Sequence, residues 1–146
     1  MFLLFDTETT GLPKNWNAPL TDFDNWPRVV QIAWQLHGLQ GNLISHGNII
    51  VRPEGFTIPY NAEKIHGIST QRALKEGIAL ADALSQFAAA LEGCRFVVGH
   101  NIDYDVSVLG CEFLRANGEN PLLAYTPLDT KEISTEFCAL PGGKGG

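Results

Sequence analysis

Two neighbouring apolar runs constrain the fold more than any other feature of this sequence. Residues 29–36 and 43–51 are rich in β-branched and other apolar side chains, and a turn with two glycines separates them. Runs of this length around a glycine turn predict an antiparallel β-hairpin. Because neighbouring parallel strands need a long crossover connection, the hairpin excludes an all-parallel sheet.

Periodic apolar patterns predict further strands and helices around the hairpin. We expect strands at residues 1–5 and 95–99 and helices at 61–66, 79–91 and 103–116. Asn61 and Asn101 are the expected N-caps of the first and last of these helices. The order of elements predicts an α/β or mixed α+β fold with antiparallel early strands.

Three other segments lack a helical pattern. Residues 13–27 contain three prolines and indicate a long structured loop, whereas residues 121–125 are expected to be extended. The Gly-Gly-Lys-Gly-Gly sequence at 142–146 indicates a flexible end. Neither a repeat nor a linker divides the chain, so we expect one domain over residues 1–146.

The composition and net charge limit which classes of function are possible for this chain. With 45% hydrophobic residues among 146, the chain can form a packed core, and it contains no apolar run long enough for a membrane helix. A net charge of −6 argues against a protein that coats nucleic acid, although a carboxylate cluster that binds metal ions would also raise the negative count. Three widely spaced cysteines suit a reducing, cytoplasmic location.

The most specific local feature is a pair of acids at the end of the first strand. Asp6 and Glu8 follow the apolar run and are two residues apart, so both side chains project from one face of the strand. Like charges held side by side repel each other unless a cation lies between them, and oxygen ligands suit Mg²⁺ or Mn²⁺. The alternative is a solvated strand end with incidental acids.

A second feature runs from the 95–99 strand into the following helix. The sequence from His100 to Asp105 places an acid about one turn inside that helix, on the side of Asn101. An acid there can reach a site at the carboxyl ends of the strands. The alternative is a capped helix with acids in its favourable first turn.

Together these features resemble the DnaQ-like DEDD superfamily of 3′–5′ exonucleases, which includes epsilon-type proofreading subunits of replicative polymerases. Asp6-Thr7-Glu8 matches the first family motif, and His100 to Asp105 matches the second and selects Asp105 rather than Asp103. Ile65-His66-Gly67 resembles a family segment near the terminal nucleotide. The resemblance covers about residues 1–135.

The resemblance implies a ribonuclease H-like mixed sheet, antiparallel first and then parallel, flanked by helices. It implies hydrolysis of DNA or RNA from a single-stranded 3′ end to nucleoside monophosphates with two Mg²⁺ or Mn²⁺ ions, and a polymerase as a further partner. The implied metal ligands are Asp6, Glu8 and Asp105. The implied substrate contacts are Thr7, Thr9, Gly11, His66, Asn101 and Tyr104.

Several of these substrate contacts have a structural alternative. Asn101 could orient the substrate or only cap the helix, and Tyr104 could pack on the terminal nucleotide or fill the core. His66 could contact the last nucleotide or simply be packed. The aromatic residues of the 13–27 loop, Trp16, Phe23 and Trp26, could stack on bases or fix the loop to the body.

The third family motif, which supplies a fourth carboxylate and a general base from a C-terminal helix, has no convincing copy. Tyr125 and Asp129 have a suitable spacing, but Pro127 between them opposes a helix. We therefore expect a C-terminally incomplete domain that binds one metal ion adequately and a second one poorly.

Two other classes of function compete with the nuclease. A haloacid-dehalogenase-like phosphatase also carries an acid pair after its first strand, but its second acid is typically Asp and its sheet is parallel. The other class is an inactive nucleic-acid-binding module that has lost its last motif.

Overall fold

The computed structural model describes residues 1–138. Its strands are β1 (Phe2–Thr9), β2 (Val29–His37), β3 (Leu43–Ile50), β4 (Phe96–Gly99) and β5 (Thr126–Asp129). Its helices are α1 (Tyr60–His66), α2 (Thr70–Glu76), α3 (Leu80–Leu91), α4 (Ile102–Asn117) and α5 (Thr130–Cys138), with a short 3₁₀-helix at Pro121–Ala124.

The five strands form one mixed sheet in the order β3-β2-β1-β4-β5. The predicted hairpin is confirmed, since β2 pairs with both β1 and β3 in antiparallel orientation. The pairs β1–β4 and β4–β5 are parallel. The central strand β1 therefore lies where the antiparallel half of the sheet meets the parallel half.

The alternation of side chains along β1 decides which residues face the core. Leu3 and Phe5 are buried, and Phe5 packs edge-on against Phe87 of α3 with the ring centroids 5.2 Å apart. Phe87 is fully buried and also meets Trp34 of β2 edge-on at 5.8 Å. Asp6 and Glu8 project from the opposite face of β1, because they occupy the alternate positions.

A buried acid links α4 to the start of β2. Glu112 is fully buried, and its Oε1 accepts hydrogen bonds from Arg28 Nε and from the backbone N–H of Val29, both at 2.9 Å. Arg115 forms an ion pair with its other oxygen at 2.7 Å. Because buried charges need such partners, this cluster fixes where the loop before β2 packs against α4.

Of the two predicted helix caps, Asn61 was wrong and Asn101 is correct in position only. Helix α1 begins at Tyr60 with Pro59 at the N-cap position, so Asn61 lies inside the helix. Asn101 does occupy the N-cap position of α4, but its backbone is left-handed, with φ 60° and ψ 43°, and its side chain makes no capping hydrogen bond.

The C-terminal third also differs from the prediction. Residues expected to be extended form the 3₁₀-helix, because the Asn120 side chain accepts a hydrogen bond from Leu122 N at 3.1 Å and caps the turn. Helices α2 and α5 and strand β5 were not predicted. The glycine-rich end at 142–146 lies outside the described residues. Within residues 1–138, no helix is long and apolar enough to cross a membrane.

The predicted long loop at 13–27 has no helix or strand, and its aromatic residues behave differently from one another. Trp26 is buried and donates from Nε1 to the carbonyl of Pro19 at 3.1 Å, so it fixes the loop to the body. Trp16 and Phe23 remain 55% and 42% exposed. Of the two alternatives given by the sequence, fixing the loop to the body therefore applies to Trp26, whereas Trp16 and Phe23 keep exposed ring surface.

Candidate active site

The candidate site forms where β1 runs past the end of β4. The last β1–β4 residue pair is Leu4 with Val98. Beyond this pair, β1 bonds to a side chain of α4 and not to β4. Asp105 Oδ1 accepts hydrogen bonds from Thr7 N at 2.9 Å and from Thr7 Oγ1 at 2.5 Å. These bonds join two segments that are 98 residues apart in the sequence.

The charge of Asp6 acts on two other carboxyl groups here. Burial raises the pKa of Asp105 to about 6; the Thr7 hydroxyl opposes this rise, and the negative charge of Asp6 adds to it. The pKa of Glu8 is also raised, first by burial and then by Asp6, while His66 lowers it. Asp6 therefore repels both of the other acids.

Carboxylate oxygens are the donors that hard divalent cations prefer, and a cation would relieve this repulsion. The donor chemistry and the electrostatics of Asp6, Glu8 and Asp105 thus fit Mg²⁺ or Mn²⁺. Within residues 1–138, no three Asp, Glu, His or Cys side chains already converge on one point at ion-binding distance. The ligands would have to move together when an ion binds.

His66 presents a polar atom without a partner beside these acids. Its Nδ1 accepts a hydrogen bond from the backbone N–H of Ile68 at 3.1 Å, which in a neutral ring leaves the proton on Nε2. That Nε2 is buried and has no hydrogen-bond partner within the described residues. Buried donors are normally satisfied, so this unpaired donor beside Glu8 is an exception, and a ligand acceptor would reach it only after neighbouring groups move.

Tyr104 holds the turn that follows the acid-bearing strand. Its hydroxyl donates to the carbonyl of Gly11 at 2.6 Å and lies 2.6 Å from Thr9 Oγ1. Thr9 Oγ1 also donates to the Gly11 carbonyl at 2.8 Å, and Trp16 packs against the Tyr104 ring with centroids 5.8 Å apart. Of the two sequence alternatives, nucleotide contact or core filling, neither included this turn-holding role.

The loop between β4 and α4 is held by residues that the sequence reasoning did not select. The N–H of Asn101 donates to Asp129 Oδ1 at 2.9 Å, and Thr130 Oγ1 donates to the carbonyl of Gly99 at 3.0 Å. His100 Nδ1 lies 3.2 Å from the same Thr130 oxygen. These contacts, rather than a side-chain cap, account for the left-handed backbone at Asn101.

The same contacts bear on the third motif. Asp129 ends strand β5 and also accepts a hydrogen bond from Lys131 N at 2.8 Å, while Pro127 pairs with Val97 at the sheet edge. Tyr125 and Asp129 therefore do not lie on a helix, as the proline had indicated. A signal for the structural role of Asp129 did exist, because Asp directly before a helix is a common N-cap.

A mixed five-stranded sheet flanked by helices defines the ribonuclease H-like class of fold. E. coli exonuclease I in complex with a dA16 oligonucleotide has this fold, with a TM-score of 0.76 and 22% identity. The metal-free form of the E. coli exonuclease I–single-stranded DNA complex gives a TM-score of 0.78 at 20% identity. A zinc-bound form of that complex gives the same two values. Each match covers 95% of this chain and 30% of the other.

The family is established by sequence. The exonuclease family (RNase_T) matches residues 3–138, so the chain belongs to this family, within the DnaQ-like DEDD superfamily. Among curated protein sequences, none shows significant similarity to it. The membership and the antiparallel hairpin overturn the phosphatase alternative.

Proposed function

We propose that this chain is the N-terminal part of a metal-dependent 3′–5′ exonuclease domain that releases nucleoside monophosphates from single-stranded ends. The observation that carries the proposal is the pair of hydrogen bonds from Thr7 to Asp105. They bring the acid of α4 beside the strand that carries Asp6 and Glu8. Two motifs that are far apart in the sequence thereby lie next to each other, which supports a shared acidic site of the kind that hydrolysis by bound metal ions requires.

Asp6, Glu8 and Asp105 would hold Mg²⁺ or Mn²⁺. A divalent cation there supplies stabilisation of the charge that develops on the attacking and leaving oxygens of a phosphodiester. Asp6 is the natural shared ligand, because its charge acts on both of the other acids.

The chain's own residues would position the terminal nucleotide. The backbone from Thr7 to Gly11 receives the terminal sugar, and Gly11, with φ 151°, adopts a backbone conformation that a larger residue would disfavour. The Nε2–H of His66, which has no partner within the described residues, would donate to an oxygen of that nucleotide once neighbouring groups move aside. Asn101, whose side chain makes no capping hydrogen bond, would orient the substrate from the start of the helix that carries Asp105.

We base the proposed substrate on the ligands of the structural relatives. The exonuclease I structures contain dA16 and dT13 oligonucleotides, so single-stranded DNA is the first substrate to test, with RNA second. The proposed setting is cytoplasmic, and the superfamily resemblance adds a polymerase as a candidate partner. Because no histidine or tyrosine in the described chain is assigned as the general base, we expect slow cleavage.

The test separates metal binding from turnover. Mn²⁺ binding is titrated by electron paramagnetic resonance, and a 3′-labelled single strand is incubated with excess protein and Mn²⁺. We expect binding and slow release of labelled mononucleotide, both abolished by Asp6→Ala and retained by Asp103→Ala, which changes an exposed acid of the same helix as Asp105. Equal cleavage by Asp6→Ala would refute the proposal, and strand binding without any cleavage would favour the inactive binding module.

A further inference from the structure

A cleft begins where the acid-bearing strand β1 ends. It has a volume of about 460 Å³ and is lined by the turn at 10–14, by the loop at 23–28, and by Gly55, Phe56 and Arg115. Its first residues, Thr10 and Gly11, follow Glu8 within three positions. At about 3.3 Å per extended residue, the cleft starts within about 10 Å of the candidate active site.

Positively charged side chains are concentrated at the cleft, although the chain as a whole is acidic. Lys14, Arg28 and Arg115 all line it, although the chain has only 10 Lys and Arg residues and a net charge of −6. Asp24 at the cleft and Glu112 beneath it offset two of these cations. Lys14 forms no ion pair within residues 1–138, so at least one cation there lacks a protein counter-charge.

Two aromatic rings accompany the arginines. The Arg28 guanidinium lies 4.5 Å from the ring centroid of Phe56, and that of Arg115 lies 5.3 Å from Phe23. Arg115 Nη2 also donates to the carbonyl of Phe23 at 2.9 Å. Phe23 is 42% exposed, so apolar ring surface faces solvent beside the cations. Cations next to exposed rings are the elements that bind the phosphates and bases of a single strand.

The walls of the cleft are fixed before any ligand binds. Thr10 N donates to the Arg28 carbonyl at 2.9 Å, and Arg28 N donates to Thr10 Oγ1 at 3.0 Å. The buried side chain of Asn25 bonds both the N–H and the carbonyl of Asn15, at 2.7 and 2.9 Å. A fixed binding surface loses little conformational entropy when its ligand binds.

We propose that this cleft binds the single-stranded nucleic acid upstream of its 3′ end while the end itself occupies the acidic site. Lys14 and Arg28 contact phosphates, and Phe23 and Phe56 contact bases. The inference rests on the proposed function for the direction of the strand. It adds a site that makes the protein select long single strands over dinucleotides.

The experiment compares variants of the cleft with a charge-matched control. Lys14→Ala and Phe56→Leu leave the buried Glu112 cluster intact, and Lys75→Ala removes an exposed lysine of α2 outside the cleft. Fluorescence anisotropy measures binding of a dT oligonucleotide of about 16 nucleotides in EDTA, as a function of salt. Cleavage with Mn²⁺ gives kcat/KM for that strand and for a dinucleotide.

We expect Lys14→Ala and Phe56→Leu each to weaken binding about fivefold or more, and Lys75→Ala to have no such effect. Lys14→Ala should also lower the salt slope by about 0.7, because one phosphate contact is lost. The kcat/KM ratio of the long strand to the dinucleotide should fall by a similar factor.

Several results would overturn the inference. One is unchanged binding by both cleft variants in a protein that cleaves. Another is an equal loss of activity on the dinucleotide. A third is displacement of the strand by poly-aspartate at equal charge concentration, which would assign the cleft to acidic peptides. Weakened binding in a protein that never cleaves would support the cleft and refute the proposed function instead.

Discussion

Asp105→Asn should stabilise the protein at neutral and alkaline pH while it removes nuclease activity. Asp105 is 4% exposed, and burial together with Asp6 raises its pKa from 3.8 to about 6. Between these two pH values the folded state binds more protons at this site than the unfolded state. The free energy of unfolding therefore falls as pH rises from about 4 to about 6, because Asp105 ionises less readily in the folded state. Above that range the full destabilisation by this carboxylate is present.

The size of the effect follows from the same pKa. A rise from 3.8 to about 6 corresponds to about 3 kcal/mol, at about 1.4 kcal/mol per pKa unit, as an upper limit. Asparagine cannot ionise, and its side-chain oxygen can still accept the hydrogen bonds from Thr7. The variant should gain up to about 3 kcal/mol at high pH and almost nothing below pH 3.8, where the wild-type carboxyl is protonated in both states.

The assay is urea unfolding of the wild type and variant in EDTA at several pH values from 3.5 to 8.5. Asp103→Asn is the matched control, because Asp103 is an exposed acid on the same helix turn. Addition of Mn²⁺ should stabilise the wild type and leave Asp105→Asn nearly unaffected. Two results would contradict this reasoning: a stability difference that is independent of pH, or a variant less stable than the wild type at pH 8. Either would show that the ionised Asp105 carboxylate does not destabilise the folded protein.

Three further predictions concern residues that stabilise the fold around the site. Tyr104→Phe should lower the free energy of unfolding by about 1 kcal/mol through loss of its bond to the Gly11 carbonyl, and should lower kcat/KM more than Lys75→Ala does. Glu112→Gln should cost about 3–5 kcal/mol in urea unfolding, because two arginines lose a buried counter-charge; a cost below about 1 kcal/mol would contradict that role. Gly47→Ala should lower the thermal midpoint, since an added Cβ would lie 2.1 Å from the Trp34 ring; an unchanged midpoint would show that this ring moves freely.

The local elements could be predicted because neighbouring residues encode them. Apolar runs around a glycine turn placed the β2–β3 hairpin, and an apolar run placed the first part of β1. Helical spacing placed α3, and the residues at its two ends placed α4, each within one or two residues. The two-residue period of a strand put Asp6 and Glu8 on one face of β1. The cap of α1 was misplaced because Pro59 precedes that helix, and Asn101 occupies its predicted position without a side-chain cap because its backbone is left-handed and its N–H is bound by the distant Asp129.

The sequence by itself determined that β1 would carry two acids and that a third would lie in the helix after β4. Only the tertiary structure decided that Asp105 bonds to Thr7 across 98 residues, that burial raises its pKa, and that four separate segments line a cationic cleft. Periodicity depends on near neighbours along the chain. Burial and electrostatic coupling depend on which distant segments pack together, and that packing is settled by the whole core at once.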